Sequence, residues 1–212
     1  MNQRTALLIG ATGLTGGLLL DLLLAADEYS KVFIYVRKSI QKQHPKLVEQ
    51  IINYDTIDTA VEADDVYCCL GTTIKIAKTK EAFEKVDLHY PLKIGALQKR
   101  AGSKQFLVVS AMGANAKSAI FYSRTKGLME EGLTKIGFES LYIFRPSFIV
   151  GDRKVERIGE KIGIIVFKVL SPLMIGGLRN YRPVKAADIA VNKLKYALKN
   201  EKGKQVILHN QW

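Results

Sequence analysis

The chain has 212 residues, 48% of them hydrophobic and 25% charged, which is enough for one sizeable core and short for two. No repeat, low-complexity tract or long linker divides it, so one domain over 1–212 is expected. The net charge of +12 lies mostly in the C-terminal third, but those cations alternate with apolar residues and lack an aromatic platform, so a solvated basic face is expected and nucleic acid is set aside.

"MNQRTALLIGATG" runs straight into a strand and a glycine turn, without the apolar run of a secretory signal. "TALLIG" (5–10) reads as a buried parallel strand ended by glycine. "LTGGLLLDLLLAA" (14–26) reads as a helix with leucines on more than one face. "KVFIYVR" (31–37) is a second strand, "EQIINY" (49–54) a third, and "DVYCCLG" (65–71) a fourth, again ended by glycine. A helix is expected over most of 78–101, then the strand "QFLVVS" (105–110), a helix over 117–136, and the strand "SLYIFRP" (140–146). A helix within about 155–171, another over 186–199 and a closing strand "KQVILH" (204–209) complete the chain.

Strands alternating with helices predict an α/β fold: a Rossmann-like, doubly wound, mostly parallel sheet with helices on both faces and a small C-terminal extension. Right-handed crossovers cover both faces, and ligands bind beyond the carboxyl ends of the strands. Gly10, Arg37, Gly71, Ser110 and Arg145 all fall at or beside such ends.

Cys68 and Cys69 are adjacent in a strand and point to opposite faces, which argues against a mutual disulfide. They are read as core residues of a reduced, cytoplasmic protein. The three histidines form no ligand set, so no metal is expected. "IGIIVFKVLSPLMIGGL" (162–178) is broken by Lys168 and Pro172 and is too short to span a bilayer comfortably. It reads as a buried or lid-forming helix, with a peripheral membrane contact as the alternative.

"GATGLTGG" (10–17) follows the first strand and opens a helix, with Gly10, Gly13 and Gly16 spaced by three. Glycines let backbone N–H groups approach a pyrophosphate, and the helix N-terminus adds partial positive charge. An acid normally meets the ribose hydroxyl about 20 residues on. Here the second strand ends in Arg37 and Lys38, which suit a 2′-phosphate, so NADP(H) is expected rather than NAD(H). Asp55 either meets the adenine amine or caps a helix.

Tyr122 and Lys126 in "FYSRTKG" share a helix face, with Cβ atoms about 5–6 Å apart. A neighbouring ammonium favours the phenolate form of a tyrosine. Ser110 ends the fifth strand, where its hydroxyl could hold a carbonyl against the phenol. Ser110, Tyr122 and Lys126 together read as a group for general acid catalysis.

"GATGLTG", "VVSAMGA", "YSRTK", "IFRPSFIVG" and "RPVKAADIA" resemble an atypical or extended short-chain dehydrogenase/reductase. More narrowly, "CCLGTT", "VDLHYPLK", "VSAMGANAKSAIFYSRTKG" and "LYIFRPSFIVGDR" resemble the Tat-interacting-protein family of small NADP-binding proteins. The resemblance implies that Gly10, Thr12, Gly13, Leu14, Thr15 and Gly16 cradle the pyrophosphate and that Arg37 binds the 2′-phosphate. It places Leu70, Gly71 and Thr72 on the adenosine-ribose side, and Arg145, Pro146 and Ile149 beside the nicotinamide. Ser110, Tyr122 and Lys126 would be catalytic, acting on a small carbonyl or alcohol, with 147–212 completing the substrate side. The asparagine usual in short-chain reductases has no counterpart; Asp87 and His89 stand in that region instead. The alternative implied by the same family is an NADPH-binding regulatory protein with a protein partner and little turnover.

Overall fold

The computed structural model describes residues 3–151 and 182–211. Strands β1 (Arg4–Ile9), β2 (Tyr29–Val36), β3 (Leu47–Ile51), β4 (Asp65–Cys68), β5 (Gln105–Val109) and β6 (Ser140–Arg145) alternate with helices, as the hydrophobic runs predict. A two-residue pair, β7 (Ile149–Val150) with β8 (Val184–Lys185), stands apart from the main sheet, and β9 (Gly203–Leu208) joins that sheet last. The strand order is β3-β2-β1-β4-β5-β6-β9, all parallel. The order reverses between β1 and β4, which places the crevice at their carboxyl ends.

Helix α1 (Leu14–Ala25) carries leucines on two faces because it packs against both the sheet and the last helix. A short helix α2 (Ile74–Ala77) precedes the segment expected as one helix over 78–101, which is divided into α3 (Lys80–Glu84), a π-helical turn (Lys85–His89) and α4 (Tyr90–Arg100). Two threonines set off the short helices. Thr73 and Thr79 each accept a backbone N–H from the turn that follows, capping two short helices in succession. Between them Lys78 has a positive φ of 70°.

Helix α5 (Phe121–Ile136) starts later than the expected 117. Asn115 and Ser118 accept the N–H groups of Lys117 and Ile120 and hold a turn there. Gly137, in the left-handed region, ends the helix. Helix α6 (Ala186–Lys199) matches its expected span. The helix expected within 155–171 and the apolar stretch 162–178 lie outside the described residues. Among those described, no helix is long and apolar enough to cross a membrane.

The core has two layers. One packs β-sheet side chains against Leu19, Leu20, Leu23 and Leu24 of α1 and Ala190, Tyr196 and Ala197 of α6. The other packs the opposite sheet face against Ile94 and Leu97 of α4 and Met129 and Leu133 of α5. At the amino end of the sheet, Asp65 is fully buried. It pairs with Arg4 and accepts the Tyr29 hydroxyl at 2.6 Å, while the Tyr29 and Tyr67 hydroxyls lie 2.7 Å apart.

Burial pushes the Asp65 carboxyl up from 3.8 to about 6, against the pull of Arg4 and Tyr29. The folded state therefore keeps a proton that the unfolded chain has released. The stability gained from it is complete below the unfolded value and is lost as pH rises through about 6. Asp65→Asn removes this titration. Its stability relative to wild type is expected to rise by about 2–3 kcal/mol between about pH 4 and pH 7, read from urea unfolding at each pH.

Candidate active site

The turn between β1 and α1 is built from backbone in close contact. Gly10 has φ +87°, and a Cβ there would lie 2.6 Å from the carbonyl carbon of Cys69. A Cβ on Gly16 would lie 2.0 Å from the Gly10 oxygen. Only glycine fits either position without moving main chain. Gly13 begins the helix with no side chain capping it, so the first N–H groups of α1 face outward at the strand ends.

Two cavities, of about 750 and 1160 Å³, meet over this turn. Thr12, Gly13, Cys69, Leu70, Gly71 and Thr72 line both, so the two form one groove across the carboxyl ends of β1 and β4. Gly10 and Arg37 line the smaller end; Leu14, Thr15, Ser110, Tyr122, Lys126 and Ile149 line the larger. Gly16 lines neither and serves by letting the turn close on Gly10.

At the smaller end Tyr54 and Tyr90 stack with ring centres 5.0 Å apart. Asp55 accepts from Lys85 at 3.2 Å and from the Tyr90 hydroxyl at 3.1 Å, and these bonds hold its carboxyl below the usual range. Asp55 is thus part of the cavity wall, and not a helix cap. Arg37 lines this end, whereas Lys38 lines neither cavity.

At the larger end Tyr122, Lys126 and Glu130 occupy one face of α5. Tyr122 is 41% exposed and packs its ring on Phe83, 5.8 Å between centres. Lys126 is buried, and its Nζ lies 2.7 Å from Asp87 Oδ1. Asp87, also buried, accepts the Thr72 N–H on its other oxygen at 2.8 Å. Burial pulls the Lys126 ammonium down, but Asp87 and then Tyr122 outweigh it, and the group titrates above its ordinary value. The ammonium expected beside Tyr122 is therefore already paired with Asp87.

The Ser110 hydroxyl donates to Glu130, so its one proton is directed away from the cavity. Arg145 donates to both Glu130 oxygens, from Nε at 2.9 Å and from Nη2. The sequence reading placed Arg145 and Pro146 beside the nicotinamide. Neither lines the groove, because Arg145 is drawn to Glu130 and the Pro146 carbonyl accepts the Met112 N–H at 2.9 Å. Gly127 lets α5 lie directly on the loop ahead of it, since a Cβ would meet Ala116 N at 2.1 Å.

Two residues of this site escaped the sequence reading. Glu130 continues the four-residue spacing of Tyr122 and Lys126, a signal that was available. Lys193 is fully buried and donates to Cys68 O at 2.8 Å and Leu107 O at 3.0 Å, with Cys69 Sγ at 3.5 Å. It gives the strand ends a cation from beneath, although nothing sets it apart from its neighbours on an amphipathic helix. Cys68 is a core thiol, pushed up to about 12 by burial, whereas Cys69 is half-buried in the groove wall.

The sheet order, the glycine turn and the groove define a Rossmann-type fold. Solved structures of that fold superpose on the chain. A complex of MoeE5 with UDP-glucose and NAD gives a TM-score of 0.69 at 13% identity, over 96% of this chain and 75% of that one. UDP-glucose 4-epimerase of Thermotoga maritima gives 0.68 at 17%, over 96% and 76%. No family model matches the sequence.

Among curated relatives, protein HTATIP2 of Rattus norvegicus is 32% identical over 167 residues, 76% of this chain and 69% of its own length. Protein FMP52, mitochondrial, of Candida albicans is 27% identical over 209 residues, covering 92% and 89%. The fmp52 protein of Emericella nidulans is 32% identical over 165 residues, covering 73% and 71%. The chain belongs to the family of HTATIP2 and FMP52. The expectation of a cytoplasmic protein is corrected by these relatives, several of which are named mitochondrial. Two adjacent cysteines that point to opposite faces of a strand cannot pair, so their free state does not identify a compartment.

The buried pair at the larger end makes a direct test of the geometry. Lys126→Met leaves Asp87 charged and unpaired, and is expected to cost about 3–5 kcal/mol of stability in urea unfolding.

Proposed function

We propose that the protein is an NADP(H)-dependent oxidoreductase that moves a hydride between the nicotinamide and a small carbonyl or alcohol. One observation carries this reading. A single groove joins an uncapped helix N-terminus and Arg37 at one end to Ser110, Tyr122 and Lys126 at the other.

The residues present fit such a cofactor. Gly10 and Gly16 let main chain rest on main chain where a Cβ would clash, which brings the turn to the strand ends, and the α1 N–H groups point at a pyrophosphate position. Thr12, Gly13, Leu14 and Thr15 surround that position, while Leu70, Gly71 and Thr72 form the opposite wall. Arg37 offers a charged fork to a 2′-phosphate, and no acid ends β2 to receive a bare ribose hydroxyl. When bound, the cofactor supplies the hydride or accepts it.

The chain supplies the proton and the orientation. Tyr122, exposed in the groove, gives a proton to a carbonyl oxygen or takes one from an alcohol. Lys126 keeps its ammonium one helical turn away and has two further N–H donors to offer to a ribose. Ser110 positions the reacting oxygen. Toward a carbonyl it must first give up its bond to Glu130. Ile149 closes part of the substrate side, which residues 147–212 complete in this reading.

The Ser110–Glu130 bond and the Lys126–Asp87 pair also favour a second reading. Both catalytic hydrogen-bonding groups are satisfied within the protein, as they would be in a cofactor-binding regulator with little turnover.

Calorimetric titration with NADPH and NADH tests the cofactor reading. NADPH is expected to bind tighter, and Arg37→Ala to erase roughly a tenfold to hundredfold of that preference. Tyr122→Phe separates the two functions. Under the first, cofactor oxidation across a carbonyl panel falls roughly 10²- to 10⁴-fold with binding unchanged. Under the second, the wild type shows no oxidation to lose.

A further inference from the structure

We propose that Asp87 is the positioning residue of the site: it holds Lys126 in place as a charged donor and couples it to the wall of the cofactor groove. The proposal rests on the NADP(H) reading above and goes beyond it in assigning the group that governs the lysine.

The geometry is specific. Asp87 Oδ1 takes the Lys126 ammonium at 2.7 Å, and Oδ2 takes the Thr72 N–H at 2.8 Å. One buried carboxylate thus bridges α5 and the segment that follows β4. Leu70, Gly71 and Thr72 of that segment line both ends of the groove. Of Asp87 and His89, only Asp87 reaches the site. His89 is exposed.

Asp87 sits in the π-helical turn. Within five residues that turn sends Lys85 to Asp55 at the smaller end, 3.2 Å away, and Asp87 to Lys126 at the larger. One turn therefore touches both halves of the cofactor site.

A carboxylate at this place has an electrostatic consequence. The groups facing Lys126 are Asp87 from the π-helical turn, Tyr122 from its own helix and the buried Cys68 thiol from β4. Glu130, one turn further along, is taken up by Ser110 and Arg145. Asp87 is the group that opposes the desolvation of Lys126. With a neutral partner, burial would favour the uncharged amine.

The test is NADPH affinity by calorimetry between about pH 7.5 and 9.5, a window in which a cofactor phosphate no longer titrates. Wild-type affinity is expected to stay level. Asp87→Asn is expected to lose roughly tenfold or more as pH rises, as its Lys126 gives up charge. The double variant D87N/K126M should be level again, which assigns the loss to Lys126. A level profile in Asp87→Asn overturns the proposal and leaves the cofactor reading standing. Absence of NADPH binding by the wild type overturns both. Should Asp87→Asn fail to fold, the wild-type NADPH affinity carried on to about pH 10 decides. A level profile supports the proposal, and a fall that sets in below about pH 9 overturns it.

Discussion

The Gly10 carbonyl occupies the space that a side chain on Gly16 would need, and Gly10 itself rests against the main chain of Cys69 and Leu70. This contact of backbone on backbone sets the floor of the groove. It brings the first turn of α1 down to the ends of β1 and β4 and leaves the helix N-H groups facing the crevice. Because the strand order reverses at that point, no crossover helix covers it. The groove is thus a product of topology and of two missing side chains.

Around that floor each buried charge has an answer. Lys126 meets Asp87, Glu130 meets Arg145 and Ser110, and Lys193 is solvated by two strand carbonyls. Unanswered charges in such positions would cost several kcal/mol each, so these contacts are conditions of folding as well as features of the site. They also define directions. Ser110 points its proton toward Glu130, and Lys126 commits one donor to Asp87. Whatever binds in the groove works with the lone pairs and donors that remain.

Much of this was legible in the residues. Hydrophobic runs located the strands of the main sheet, because a parallel strand buried on both faces has little freedom in composition. The glycine spacing and the Tyr122–Lys126 spacing marked both ends of the groove. What stayed hidden were partnerships across the fold. Lys193 looks like its neighbours Lys195 and Lys199 on an amphipathic helix until the helix is docked and the residue proves to face inward. Arg145 was placed by family pattern, whereas its direction depends on Glu130 from another element. The π-helical turn follows from no local propensity. Thr73 and Thr79, by contrast, are cap residues whose signal is local and readable in the sequence.

Lys193 has a consequence for how the molecule comes into being. It bonds Cys68 across 125 positions of chain, and its helix packs on α1, the first helix of the fold. On a ribosome those positions take on the order of ten seconds to synthesise. During that interval the leucine face of α1 lacks its cover and the ends of β4 and β5 lack their cation. The emerging polypeptide therefore waits in a sticky, half-finished state until its final helix arrives. Losing the last few dozen residues would strike the groove-facing edge as hard as it strikes the tail.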